Sequence, residues 1–242
     1  MKRICSIFAF VIILSLFLVS PAAAFMTGLS GKHVPEEDAE FFMQNCKLER
    51  IEKEPPLSLF SCFDVSDSGL IAIGQVNLDE KRVCVYTCTG TFLYGYTFRS
   101  DGDFEVEWDG ENLGIYFARS DYLVSLSPQG DVLCLWETEH TIENSIYLLR
   151  VIEAHDKEVN GTMYSARNAS KIAGLLSPYY AKIQVRESDG TERTVYDASA
   201  VQNARMLSAT VILLGFLSIG VFVIAKVIVG LNRHNQNAKH SQ

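Results

Sequence analysis

The sequence predicts a mainly β protein of incomplete propeller-like or stacked antiparallel β-sheet repeats, framed by an N-terminal signal segment and one C-terminal transmembrane helix. Three observations predict it. Two long uncharged apolar runs, residues 4–20 and 206–225, bracket the chain. All 29 Asp and Glu lie between those runs, from Glu36 to Asp197. Within that acidic body, short runs rich in Val, Ile, Tyr, Phe and Leu alternate with turn dipeptides that end in Gly.

The first apolar run has the parts of a secretory signal. Met1-Lys2-Arg3 is a positive start, ICSIFAFVIILSLFLVS an apolar centre, Pro21 a helix stop, and Ala22-Ala23-Ala24 a small-residue cleavage region. Residues 1–24 are therefore predicted to be removed, with an uncleaved anchor as the alternative. The second run, MLSATVILLGFLSIGVFVIA, is 20 residues without a charge. At about 1.5 Å per residue it spans about 30 Å, the thickness of a bilayer's hydrocarbon core. The predicted membrane segment is 206–231, with Lys226 snorkelling to the interface. The tail, 232–242, carries Arg233 and Lys239 and no acid, which places it in the cytoplasm. The prediction is a single-pass cell-membrane protein with its body extracytoplasmic, whether or not the signal is cleaved.

The body, residues 25–205, carries 29 acids against 16 Lys and Arg, a net charge of −13. That excess argues against nucleic acid as a partner. Five cysteines remain outside the signal: Cys46, Cys62, Cys84, Cys88 and Cys134. Cys84, Cys88 and Cys134 lie in apolar strand-like runs, where Cys behaves as a small buried hydrophobe. Buried thiols and one disulfide both fit the odd count, whereas zinc-site spacing is missing.

Residues 25–56 form an N-terminal segment. Pro35 followed by Glu36, Glu37 and Asp38 predicts a short helix to about Cys46. The β-repeat domain is placed at 57–199 and a polar stalk at 200–205. Tight turns are predicted at Gly69, Gly90, Gly102, Gly110, Gly130, Gly161 and Gly190, each preceded by a Ser, Thr, Asp, Gln or Asn. A helix capped by Thr141 is predicted from Ile142 to about Ala154, with Ile142, Ile146, Leu149 and Ile152 on one face.

The strand runs recur. FDVSDSGLIAIG with VCVYTCTGTFLYGYTF is matched by VEWDGENLGIYFA with LVSLSPQGDVLCLWE. A more divergent third copy is EVNGTMYSARN with KIQVRESDGTERTVYD. Val83, Leu123 and Ile183 each stand seven residues before the turn glycines Gly90, Gly130 and Gly190, as a shared inward strand position requires. About four strands in 40–50 residues is the length of a propeller blade. The pattern resembles the blades of NHL-type β-propellers, over strand, turn and spacing only. The resemblance implies an incomplete propeller-like array, because three copies are too few to close a ring. It also implies that an oligomer could complete the blades in trans.

Sequence motifs for chemistry are sparse. No HExxH, GxSxG or phosphate-loop pattern occurs, and the body holds three histidines, His33, His140 and His155. No cofactor is expected. The one unusual constellation is SDGDFEVEWDGE, in which Asp101, Asp103, Glu105, Glu107 and Asp109 alternate with Gly102, Phe104, Val106 and Trp108. In a strand, alternate side chains share a face, so this predicts apolar groups inward and carboxylates outward over 103–108. Asp101, Asp103 and Glu105 are the candidate Ca²⁺ ligands of that stretch. Asn160 and Asn168 stand in N-x-[ST] sequons. The functional expectation is binding of a protein or glycan by a membrane-anchored domain. The alternatives are a hydrolase using the acidic strand, or an accessory subunit of a membrane complex.

Overall fold

The computed structural model describes residues 28–76 and 80–240. The predicted signal segment lies outside the described residues. In chain order the structure opens with β1 (Gly31–His33), α1 (Glu36–Cys46) and β2 (Glu49–Ile51). A first meander follows: β3 (Phe60–Val65), β4 (Ile71–Val76), β5 (Lys81–Tyr86) and β6 (Phe92–Phe98). A second is β7 (Phe104–Asp109), β8 (Asn112–Phe117), β9 (Tyr122–Leu126) and β10 (Val132–Thr138). The chain then forms α2 (Ile142–Tyr147) and a π-helical turn (Leu148–Ile152) before β11 (Asp156–Val159) and β12 (Thr162–Arg167). After α3 (Lys171–Leu176) come β13 (Lys182–Arg186), β14 (Glu192–Asp197) and the long helix α4 (Ser199–His240).

The strands form three antiparallel sheets, ordered β2-β6-β5-β4-β3, β1-β10-β9-β8-β7 and β11-β12-β13-β14. Neither a closed barrel nor a closed propeller forms among the described residues. The sheet built on the first meander is the middle layer. One of its faces packs Val83, Val85 and Tyr96 against Phe104, Ile115 and Leu126 of the second. Its other face packs Ile71, Ile73 and Tyr86 against Ile183, Val185 and Tyr196 of the third. The two-residue alternation of a strand assigns odd and even side chains to opposite neighbours.

Val83, Leu123 and Ile183 each lie in the third strand of a meander, and each is buried. Val83 faces the second sheet and Ile183 the first. Leu123, which alternates with Val124, faces away from the first sheet. Four turns share one geometry. At Gly69, Gly90, Gly130 and Gly190 the glycine amide donates to the carbonyl three residues earlier, and that earlier residue's amide donates to the carbonyl after the glycine. In the first three, a Ser or Thr hydroxyl at the turn's start (Ser66, Thr87, Ser127) also accepts from the amide after the glycine. Of the seven predicted turn glycines only Gly102 has ordinary φ. Its lack of a side chain serves close packing instead, since a Cβ there would lie 2.6 Å from Arg119 Cβ.

The helices depart from expectation in instructive ways. α1 forms as predicted. Thr141 caps α2, its hydroxyl accepting from the Asn144 amide at 3.1 Å. The predicted continuous helix instead turns π-helical at Leu148, and of its apolar face only Ile152 is buried while Ile142, Ile146 and Leu149 are exposed. A π turn adds a residue per turn and rotates the stripe away from one face. The expected stalk, 200–205, is helical and forms the first turns of α4. Its Gln202 is buried against the third sheet's loops. The stretch Ser199–Gly220 is the one described helix long and apolar enough to cross a membrane, and none of its most apolar window is buried by the protein.

Gly90 and Gly190 share φ of +86°, but a Cβ on Gly90 would meet Val195 O at 2.4 Å whereas Gly190 has open space. Gly190→Ala is expected to cost about 1–2 kcal/mol, the left-handed penalty of an L-residue. Gly90→Ala should cost clearly more, because the clash joins the first and third sheets. Thermal unfolding of the two variants side by side checks this; equal losses would show that the hairpin tip yields freely.

Candidate functional site

The acidic strand is half as expected. Phe104 and Val106 of β7 are buried in the core. Trp108 is only half-buried, and the opposite face is not solvated. Glu105 is half-buried and Glu107 is 8% exposed. The expectation of outward carboxylates is therefore corrected. The cause is topological: β7 is the edge strand of the second sheet, and the chain, leaving that sheet from β10, must cross past β7 and the first sheet to build the third. That crossing, residues 139–155, covers the carboxylates.

The crossing is pinned at several points. Asn144 donates to the carbonyls of Ser30 and Glu139, each at 2.7 Å, and accepts from the Ser30 amide at 2.8 Å. Tyr147 then places its hydroxyl on Glu107 Oε1. Lys157, at the start of the third meander, forms an ion pair with Asp64 of β3 at 3.3 Å, with side chains only 11% and 14% exposed. Lys157 Nζ also donates to the carbonyl of Val151. Asp64 completes the joint, its Oδ2 accepting from the Trp108 amide at 2.7 Å. Cys62 donates to the Phe104 carbonyl at 3.4 Å. The outer edge of β7 is thus tied to β3 by side chains, which satisfy its free backbone groups without extending the sheet.

The electrostatics follow from this burial. Removal from water pushes the Glu105 carboxyl up to about 8, with the nearby Glu153 charge adding to the effect. Burial also raises Glu107 to about 7, opposed by the Tyr147 hydrogen bond. Burial pushes the Cys62 thiol well above its usual range. A cleft of about 120 Å³ reaches Glu105 from the side, between Cys62, Glu153, His155 and Tyr180. Carboxyls that hold protons near neutrality are able to act as general acids. Here the bonds Glu107 and Cys62 make are to structural partners, Tyr147 and the Phe104 carbonyl.

The candidate Ca²⁺ ligands are not gathered. Asp101 is exposed and pairs with Arg119 at 3.7 Å. Asp103 is exposed beyond the start of β7, while Glu105 faces Cys62 and Glu153. Among the described residues no three His, Cys, Asp or Glu side chains come together as a metal site. The three histidines also stay apart in their surroundings. His33 bonds the Val34 carbonyl at 2.8 Å, His140 lies 3.4 Å from Asp121, and His155 packs on Tyr180. The five cysteines are all free thiols, and Cys88 is exposed.

A second, open feature is a cleft of about 350 Å³ between α1 and the loops after β6 and β8. Phe42 and Phe117 form its apolar floor, in edge-to-face contact at 5.1 Å. Arg99, Arg119, Asn45 and Asp101 line its rim. The Arg99 amide is fixed by the Cys46 carbonyl at 2.7 Å. Sequence reasoning missed this cleft and the partners Asp64, Tyr147 and Lys157. None of them stands at a motif spacing, and each pairing joins segments at least 40 residues apart in the chain or in different meanders.

The raised carboxyls predict the sign of a pH dependence. Above the ordinary value of 4.5 the folded chain keeps protons that the unfolded chain has released, so stability falls as pH rises through about 7 and 8. The melting temperature should drop by about ten degrees or more between pH 5 and pH 9, at about 1.4 kcal/mol per pH unit for each carboxyl protonated only in the folded chain and about 2–4 °C per kcal/mol for a domain of this size. Glu107→Gln should flatten that slope and melt higher than the parent at alkaline pH. A parent melting temperature that rises from pH 5 to pH 9 would show that these carboxyls are not buried neutral.

The sequence matches no protein-family model, and no curated protein is significantly similar to it.

Proposed function

We propose that this chain is a membrane-anchored recognition domain with its body on the extracytoplasmic side, and that the cleft beside α1 receives its ligand. The observation that supports this most is the cleft's composition: Arg99 and Arg119 beside Phe42 and Phe117, with Asp101 the one acid among its described lining residues, in a body of strongly acidic charge. Its volume of about 350 Å³ falls in the range of ligand sites. Arginine pairs bind carboxylates with two parallel hydrogen bonds, and aromatic faces accept the apolar side of a sugar or peptide. The chemistry therefore favours a carboxylate-bearing glycan or protein segment. We read the three meanders as blade-like units of one repeat, a rigid frame that presents loops.

The hydrolase reading draws little support from the geometry, because Glu107 is held by Tyr147 and the cleft that reaches Glu105 has a volume of only about 120 Å³. The anchor is α4, whose apolar stretch continues directly from the last strand. Arg233 and Lys239 favour a cytoplasmic tail.

Two measurements check this. Cys88 is exposed, whereas Cys46, Cys62 and Cys84 are buried. A membrane-impermeant maleimide applied to intact cells should label the full chain, and Cys88→Ser should remove most of that label. Labelling only after lysis would reverse the assigned topology. For the cleft, binding to a panel of uronate oligosaccharides and acidic peptides should weaken about tenfold or more in Arg99→Ala and Arg119→Ala, consistent with about 1.5–3 kcal/mol for a charge-assisted bond. Unchanged binding in both variants would remove the cleft from the mechanism.

A further inference from the structure

α3 is a short helix with an inverted surface. Ser170 caps it, accepting from the Ala173 amide at 3.1 Å. Ala173 is fully buried beneath the helix. Ile172, Leu175 and Leu176 stand at the i, i+3, i+4 spacing of one face, and they are 63%, 85% and 73% exposed. Three large apolar side chains on six residues, turned to the outside, are an unusual surface for a domain rich in charge.

The position of this helix is fixed by one residue of α4. Gln202, 1% exposed, accepts from the Ala169 amide at 2.8 Å. Its Nε2 donates to Asn168 Oδ1 at 2.6 Å and to the Tyr179 carbonyl at 3.1 Å. The loop on both sides of α3 is therefore clamped to the first turns of α4. Gln202 precedes Met206, the first residue of the uncharged run, by four residues. That is about 6 Å along a helix axis. The polar layer on each side of the hydrocarbon core is about 5–8 Å deep, the difference between about 40–45 Å and about 30 Å shared by two leaflets. A helix tied to Gln202 thus sits at headgroup depth. Lys171 at its start and Arg205 on α4 are both exposed, and long basic side chains at a membrane boundary keep their charged heads in the polar layer.

We propose that α3 is a membrane-docking element, inserting Ile172, Leu175 and Leu176 into the outer leaflet beside the transmembrane helix. The inference rests on the membrane-spanning reading of α4. Its occupant is the lipid interface, because the face lies on an element clamped to Gln202, about one helical turn from the start of the uncharged run. The consequence is a fixed tilt. A body attached by a helix alone would swivel, whereas two contacts, α4 and α3, hold it in one orientation over the membrane.

The test uses the full chain with Cys5, Cys88 and Cys134 replaced by Ser, reconstituted in vesicles of phosphatidylcholine with phosphatidylglycerol. Nitroxide labels are placed singly at Leu175→Cys, at Leu214→Cys within the apolar run, and at Glu111→Cys on a hairpin tip of the second sheet. All three sites are exposed, so labelling does not disturb packing. Power saturation with oxygen and with a water-soluble nickel chelate reads depth. The expected result is a lipid-exposed signal at 214, an interfacial one at 175 and an aqueous one at 111. An aqueous 175 with a lipid-exposed 214 overturns the docking element and leaves the membrane span intact, assigning the stripe to a protein partner. An aqueous 214 overturns the span, and the docking element with it.

Discussion

The structure depends on a middle sheet that is dry on both faces. Burial of β4 and of residues 83–86 in β5 on two sides means that every residue there, odd or even, must be apolar, small or internally bonded. The runs LIAIG and VCVY meet that demand. Gly74 leaves room where a Cβ would lie 2.3 Å from Cys62 Sγ and 2.9 Å from the Phe104 ring. Gln75, the polar exception, is 1% exposed and donates to Tyr196 Oη at 3.1 Å. Cysteine serves the same demand at Cys62 and Cys84, as a small hydrophobe with a weak donor. The absence of disulfides among the described cysteines is then unsurprising: these thiols fill space.

A three-layer order that differs from chain order follows from that choice. The first meander lies in the middle, the second on one side and the third on the other. The chain must therefore pass over the edge of the middle sheet, and it does so through α2 and the π-helical turn. This crossing is what buries Glu105 and Glu107. Their raised proton affinity is a by-product of topology. In the Lys157–Asp64 pair beside them each charge is matched and hydrogen-bonded, whereas Glu107 Oε2 is buried with no hydrogen-bond partner among the described residues. A paired and bonded buried charge is held at modest cost, whereas a lone one is not.

The same logic ties the body to α4. Tyr196 of β14 accepts from the Ser58 amide at 3.0 Å and donates to the Ser58 carbonyl at 2.5 Å, joining the last strand to the segment before the first sheet. Ala198 donates to Ala181 O at 2.7 Å, and α4 begins at the next residue. With Gln202 clamped to the loop around α3, no flexible hinge separates sheet from helix. The cleft beside α1 keeps a defined orientation relative to α4.

By itself the sequence determined the class of the fold, most strand positions and the turns. Strand alternation, turn glycines and an uncharged 20-residue run are local signals, written in consecutive residues. So were the N-terminal bounds of α1 and α2, set by Pro35 and Thr141. Only the tertiary structure decided which face of a strand is wet. Glu105 and Glu107 alternate with apolar neighbours as a solvated face does, and nothing within the strand announces that residues 139–155 will lie across them. The exposed face of α2 misleads for the same reason, since of that stripe only Ile152 is buried by the rest of the chain. Lys157 and Asp64 meet, as do Gln202 and Asn168, because layers stack out of chain order, and stacking order is a property of the whole chain rather than of any window of it.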